Sequence, residues 1–199
     1  MNKLPVFKMK INTEDTSAQA VEYVALVDQP AIEMNWMAFN KHFQFSVDQE
    51  RRLIMAPLMV ADMPIYRQGR IPGTDVDGEF YVVFDKQTIY EIVQKFFRNG
   101  YTSNVNIMHN SNERTSGVYM VESMMVDETR GVVAPKMFEG ISQGSWIGTY
   151  KVDNNDVWND FVKTGKLKGF SVEGIFSPEY VATEDEKLLQ QIADMTKPS

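Results

Sequence analysis

The stretch KGFSVEGIF at residues 168–176 sets the first expectation about the fold. Apolar and polar residues alternate along it: Phe170 and Val172 belong to one face of a predicted strand, and Ser171 and Glu173 to the other. A strand of this kind commonly has one face in the core and one face toward water. On this pattern alone, Ser171 is a solvent-facing hydroxyl, and any functional role needs support from the rest of the chain.

Composition and charge limit the classes of function. The chain has 199 residues, 43% of them hydrophobic, so one domain with a sizeable core is expected. Its net charge of -7 argues against nucleic-acid binding, which needs a concentrated positive surface. It has no cysteine, which fits a reducing compartment. The sequence shows no signal-peptide core and no apolar run near the ~18 to 20 residues of a membrane span, so a soluble intracellular protein is expected.

Strands dominate the predicted secondary structure. VEYVALVDQPA (21–31), EFYVVF (79–84) and SWIGTYKVD (145–153) are predicted strands. Between Asp85, a predicted N-cap, and Asn99, apolar residues recur every three or four positions, which predicts an amphipathic helix. Strands with two or three scattered helices are typical of an α+β domain with a mostly antiparallel sheet.

Two further expectations concern the layout of the chain. RQGRIPGTDVDGE (67–79) has turn residues throughout and is predicted to be a long exposed loop. We expect an N-terminal extension over residues 1–20, the main domain over 21–180, and a C-terminal helix and tail over 181–199.

The sequence has only two histidines, His42 and His109, so there are few candidates for a catalytic base. His42 lies among aromatic and basic residues, and a structural or surface role is predicted for it. His109 ends the predicted strand NVNIMH just before a polar turn, where scaffolds often display catalytic side chains. On that position alone, a structural role is favoured for His109 over a catalytic one.

Metal and cofactor motifs are missing from the sequence. It contains no HxxxH or HExxH spacing, and no cysteine to complete a zinc site. TDVDGE (74–79) alternates carboxylates but lacks the glutamate that a calcium loop requires. Neither GxxxxGK[ST] nor GxGxxG occurs, so no cofactor and no metal are expected.

With metal and cofactor motifs missing, the remaining candidate is a catalytic site in which a histidine activates a serine. An imidazole can take the proton of a hydroxyl, and a carboxylate commonly orients that imidazole. The glycines at 169 and 174 permit close approach of a substrate backbone to Ser171, and the N–H of Val172 could stabilise an oxyanion. There is no GxSxG elbow, so the pattern alone favours an ordinary surface serine over a hydrolase nucleophile.

Four stretches, in order along the chain, together resemble the phage serine proteases of the XkdF type, which are relatives of prohead proteases. They are LVDQPAIEMNWMAF (26–39), NVNIMH (104–109) followed by VES (121–123), GSWIGTYKVDNNDVW (144–158) and KGFSVEGIF (168–176). The resemblance implies a protease that trims scaffold and capsid proteins inside an immature phage head. It also implies a fold related to herpesvirus assemblin, with a distorted barrel-like sheet.

The same resemblance implies roles for particular residues. His109 would be the general base and Ser171 the nucleophile, 62 positions later. Assemblins use a second histidine after the serine, which this chain lacks, so the third member is a carboxylate or is absent. Glu122, within the VES match, is favoured, and Asp77 is the alternative. Glu173 shares the face of Ser171 and could contact substrate, although a surface role is favoured.

The implied partners are the phage scaffold and major capsid proteins, as substrates inside the prohead in the host cytoplasm. Self-processing, with residues 178–199 as a processed or linker region, and a homo-oligomer are open alternatives. A catalytically inert head-assembly protein that keeps the protease fold would show the same strand pattern. A non-proteolytic serine esterase is a third alternative. The arrangement of Ser171 and His109 discriminates between the enzyme and the inert protein.

Overall fold

The structure is a computed structural model and describes residues 4–11, 21–28, 44–71, 73–110 and 114–182. Apart from three single-turn 3₁₀ helices, two helices lie in this part of the chain: α1 (Lys86–Arg98) and a π-helical segment (Val157–Val162). The strands are β1 (Val6–Lys10), β2 (Val21–Val27), β3 (Ser46–Asp48), β4 (Leu53–Met59), β5 (Ile65–Arg70), β6 (Asp77–Val83), β7 (Val105–Ile107), β8 (Val118–Met125), β9 (Trp146–Val152), β10 (Gly169–Gly174) and β11 (Ser177–Tyr180).

The described strands form three sheets, with the orders β11-β1-β6-β5, β10-β2-β7 and β3-β4-β9-β8. Neighbouring strands are antiparallel, except that β1 pairs with β6, and β2 with β7, in parallel. The predicted α+β class with a mostly antiparallel arrangement is confirmed. The predicted barrel-like sheet is not formed by these strands, because each of the three sheets has two outer strands that end the hydrogen-bonded order instead of closing it.

The three-stranded sheet holds the residues of greatest interest. Ser171 of β10 is in register with Ala25 of β2, and Ala25 with Asn106 of β7, so these three residues form one row. Ala25 and Asn106 are fully buried, and so are Val24 and other residues of the opposite face. Because both faces of this sheet are covered, Ser171 is only 7% exposed, and the prediction of a solvent-facing hydroxyl was wrong.

Helix α1 follows its sequence pattern closely. The carboxylate of Asp85 accepts a hydrogen bond from the Thr88 N–H at 2.8 Å, which is an N-cap interaction. Apolar residues such as Ile89 and Phe96 face the core, and Asn99 is the C-cap. Phe96 packs edge-on against Trp146, which is fully buried and belongs to the core. None of the helices in the described part of the chain is long and apolar enough to span a membrane.

The predicted long loop at 67–79 is instead largely a pair of strands. β5 and β6 are antiparallel, with Gln68 opposite Glu79 and Arg70 opposite Asp77. Gly69 and Gly78 face each other at φ values of 128° and 150°. Glycine adopts such angles without steric cost. The two glycines, which favoured the prediction of a turn, therefore fit within the paired strands β5 and β6. The prediction failed because pairing with a neighbouring strand overrode the local turn preference.

Other predictions fall outside the described residues. The helix predicted in the C-terminal tail lies mostly within 183–199, and His42 lies within 29–43. Within 1–20, the stretch expected to be an extension, β1 takes part in a sheet with β6 and β11.

Candidate active site

A tight turn at the end of β7 positions His109. The Asn110 N–H donates to the Ile107 carbonyl at 3.1 Å, and the two residues between them, Met108 and His109, have φ values of 54° and 60°. Two successive positive φ values are the pattern of a type I′ turn, which favours glycine and asparagine. A methionine and a histidine in this conformation are strained, and strain of this kind is concentrated at functional sites.

The imidazole of His109 contacts a carboxylate that belongs to β10. His109 Nδ1 lies 3.0 Å from Glu173 Oε1. The side chains are 48% and 23% exposed, so the pair is partly sheltered from water. Because β2 separates β7 from β10, this contact spans the width of the three-stranded sheet and joins the histidine stretch to the serine stretch.

Asn106 donates a hydrogen bond to the same carboxylate. Its Nδ2 donates to Glu173 Oε1 at 2.8 Å, and Asn106 itself is fully buried. The Oδ1 atom of Asn106 is buried without a hydrogen-bond partner among the described residues. An unpaired buried polar atom typically costs about 1–3 kcal/mol. The amide is therefore kept at an energetic cost, in a position where it orients Glu173.

Ser171 lies two residues before Glu173 on β10, so both side chains project to the same face. Glu173 lies opposite Tyr23 and reaches Asn106 diagonally across β2. Ala25 occupies the middle of the row between Ser171 and Asn106, where a side chain larger than a methyl group would crowd this path. With Nδ1 of His109 facing Glu173, the other ring nitrogen, Nε2, is left for a reaction partner. No hydrogen bond joins Ser171 to His109 among the described residues, and such bonds are often loose before substrate binds.

A cavity of about 430 Å³ lies beside the outer edge of β10. Ser171, Val172 and Glu173 line it on one side, and residues of β1, β4, β5 and β6 line it on the other. None of its lining residues comes from β2 or β7. Ser171 and Glu173 therefore both line the cavity, while His109 approaches Glu173 from β7, across β2.

Glu122, the carboxylate favoured from the sequence, and Asp77, its alternative, lie elsewhere. Glu122 is an exposed residue of β8 in the sheet β3-β4-β9-β8, and Asp77 is an exposed residue at the start of β6, opposite Arg70. In the described part of the chain neither forms an ion pair with His109, as Glu173 does. A catalytic role for Glu122 or Asp77, and an oxyanion role for Val172, stay predictions.

Glu173, for which a surface role was favoured from the sequence, is the carboxylate that contacts His109. The alternation along β10 did place it on the face of Ser171, but only the register of β10, β2 and β7 brings it to His109. No group of three or more histidine, aspartate or glutamate side chains suited to a metal ion occurs within the described ranges.

A comparison with protein families gives the class of the protein. The family model described as "Putative phage serine protease XkdF" matches residues 69–188, a stretch that contains His109, Ser171 and Glu173. Because the match covers more than half of the chain, the protein belongs to this family of phage serine proteases. Searches of curated proteins and of solved structures found no match to the chain.

Proposed function

We propose that the protein is a serine endopeptidase in which Ser171 is the nucleophile, His109 the general base and Glu173 the carboxylate that orients His109. The observation that carries this proposal is the 3.0 Å contact between His109 Nδ1 and Glu173 Oε1, with Glu173 two residues after Ser171 on one face of β10. Nucleophile, base and orienting acid are the three parts of a serine hydrolase site, whatever their order in the chain.

In the first half of the reaction, His109 Nε2 takes the proton of the Ser171 hydroxyl as its Oγ attacks the carbonyl carbon of the scissile peptide. A tetrahedral intermediate forms, and backbone N–H groups stabilise its oxyanion; the N–H of Val172 is our candidate donor. The C–N bond then breaks, and the imidazolium returns its proton to the leaving amine. The acyl group stays on Ser171 as an ester. Glu173 stabilises the imidazolium that exists between these steps.

In the second half, His109 takes a proton from water, whose oxygen attacks the ester carbonyl. A second tetrahedral intermediate collapses, the bond to Ser171 Oγ breaks, and the serine regains its proton from His109. The new carboxylic acid leaves, and the three side chains are restored. Asn106 keeps the Glu173 carboxylate in place throughout by the 2.8 Å hydrogen bond from its Nδ2.

We place this activity in head maturation, with scaffold and major capsid proteins as substrates inside the prohead and an assemblin-related fold around the site. Membership of a family of phage serine proteases supports a phage protease role. Self-processing near the C-terminal end is part of the same proposal.

An inert head-assembly protein is the second candidate. The observation in its favour is the low exposure of Ser171, 7%, together with the lack of a hydrogen bond from Ser171 to His109 among the described residues. In this case the His109–Glu173 pair would be a structural link between β7 and β10.

Co-expression with the scaffold and major capsid proteins of the same phage tests the proposal. We expect specific cleavage by the wild type that is lost in Ser171→Ala and in His109→Ala. Cleavage that survives Ser171→Ala would move the nucleophile elsewhere. Folded protein that cleaves neither partner in any version would support the inert assembly protein.

A further inference from the structure

Arg67 carries a charge on the apolar face of a sheet. It lies on β5 opposite Phe80 of β6, and Ile65, two residues earlier, lies opposite Val82. Phe80 and Val82 are buried core residues. Since paired residues project to one face, Arg67 shares the face of these core residues, and it lines the cavity beside Ser171.

The guanidinium of Arg67 has few partners from its own chain. Its Nη1 donates to the Tyr66 carbonyl at 3.0 Å. Among the described residues, no carboxylate lies within 4.0 Å of it. Glu173 lines the same cavity but is engaged by His109 and Asn106. Burial lowers the pKa of Arg67, yet an arginine stays charged at neutral pH.

A second cation lines the same cavity, although the chain as a whole has a net charge of -7. Arg70 is exposed and lies three residues after Arg67, at the end of β5. The remaining walls are mainly apolar, with side chains such as Met9, Leu58 and Met63. A partly buried cation is stabilised when an anion pairs with it. A ligand that also has apolar groups beside its anion can contact the apolar walls of the cavity.

We infer that this cavity is the specificity pocket of the protease and takes a substrate segment in which a glutamate or aspartate near the scissile bond pairs with Arg67. The inference rests on the proposed function of Ser171. A guanidinium presents parallel N–H groups that bind a carboxylate in a bidentate manner, which gives selectivity for an acid over an amide. The substrate residues next to the acid are apolar, because they contact the apolar walls.

The position of the cavity suits an extended substrate. Strand β10 pairs with β2 on one side, and the cavity follows its other edge. A peptide that lies along this edge has its backbone beside Ser171, the candidate nucleophile, and its side chains next to the cavity that Arg67 lines.

Cleavage of a mixed-sequence peptide library by the wild type, mapped by mass spectrometry, tests the inference. We expect an acidic residue near the cleaved bond, and a Glu to Gln change in that peptide should lower kcat/KM by about tenfold or more. In Arg67→Met the same peptide change should have less than about a twofold effect. Arg67→Lys should keep part of the preference, and Arg98→Met, at an exposed position on α1, should keep all of it.

Binding separates a failure of this inference from a failure of the proposed function. The same library is passed over immobilised Ser171→Ala and Ser171→Ala/Arg67→Met proteins. If Ser171→Ala retains acidic peptides and Ser171→Ala/Arg67→Met does not, while the wild type cleaves none of them, the acid-binding pocket is supported and the proposed protease function is rejected. Cleavage or binding without any acidic preference would overturn the inference, even with the protease activity intact. A cooperative thermal unfolding transition, measured for Arg67→Met and for the wild type, checks that the variant is folded.

Discussion

Glu173 contacts His109 at 3.0 Å across the full width of a three-stranded sheet, and Ser171, two residues before Glu173, lines the same cavity as Glu173. One strand thus contributes both the candidate nucleophile and the acid that holds its base. The alternation of β10 puts the two side chains on one face, and Glu173 reaches diagonally across β2 to Asn106 and His109.

Loss of the Glu173 charge is the most direct test of the proposed site. Glu173→Gln keeps the size of the side chain but removes the charge that stabilises the imidazolium. We expect kcat to fall by about 10²–10⁴ with a small change in KM. Peptide cleavage kinetics measure both constants.

The same experiment at Glu122 compares the two candidate acids. We expect Glu122→Gln to lower kcat far less than Glu173→Gln, because Glu122 lies on β8 with an exposed side chain. A large loss in Glu122→Gln with little effect in Glu173→Gln would transfer the role to Glu122.

Substitutions at Ala25 test whether the His109–Glu173 contact needs a small side chain at this position of β2. Ala25→Val adds two methyl groups in the row between Ser171 and Asn106, where Ala25 is fully buried. We expect the His109–Glu173 contact to break and cleavage to be lost, with a destabilisation of about 1–3 kcal/mol from overpacking. Nitrogen NMR of His109 reports the contact, and urea unfolding reports stability. Ala25→Gly, which adds no bulk, should preserve the contact; its loss there would remove the steric explanation.

The strained turn predicts a stabilising substitution. Met108 has φ 54° and is 49% exposed, so Met108→Asn relieves strain without emptying the core. We expect the free energy of unfolding to rise by about 0.5–1 kcal/mol. Urea denaturation measures it, and the exposed Met137, outside the turn, provides a control in Met137→Asn. A destabilised Met108→Asn protein would mean that Met108 makes contacts that outweigh its strain.

Asp85 predicts a loss of stability in acid. Burial alone raises the pKa of Asp85, but hydrogen bonds from Lys10 and Thr88 outweigh burial and lower the pKa from 3.8 to about 2. A carboxyl group whose pKa is lower in the folded state stabilises the fold above its unfolded pKa and loses this contribution as pH falls. The contribution of Asp85 is therefore present at neutral pH and disappears between about pH 4 and pH 2.

Asp85→Asn isolates this effect from that of other carboxylates. The amide keeps an N-cap oxygen but has no charge for Lys10. We expect the variant to be less stable than the wild type at pH 7, and the difference to shrink as pH falls through the window from 4 to 2. Urea unfolding over this range measures it. A difference that is constant with pH would show that the charge of Asp85 does not contribute.

Local patterns in the sequence were sufficient for several features of this protein. The spacing of Ile89 and Phe96 and the cap at Asp85 determine α1, because helix periodicity and capping involve residues within one or two turns. The alternation in β10 likewise assigns Ser171 and Glu173 to one face. The ordered motifs were also enough to recognise the family, which the match over residues 69–188 confirms.

Features that depend on contacts between distant segments were decided only by the tertiary structure. The sequence at 67–79 is typical of a loop in isolation, yet its two ends belong to β5 and β6 because these strands pair. The partner of His109 depends on the register of β10, β2 and β7, which no local pattern encodes. A shift of that register by one residue would turn Glu173 to the other face of the sheet and separate it from His109. The sequence alone therefore determined which residues could react, and the packing of the strands decided which of them meet.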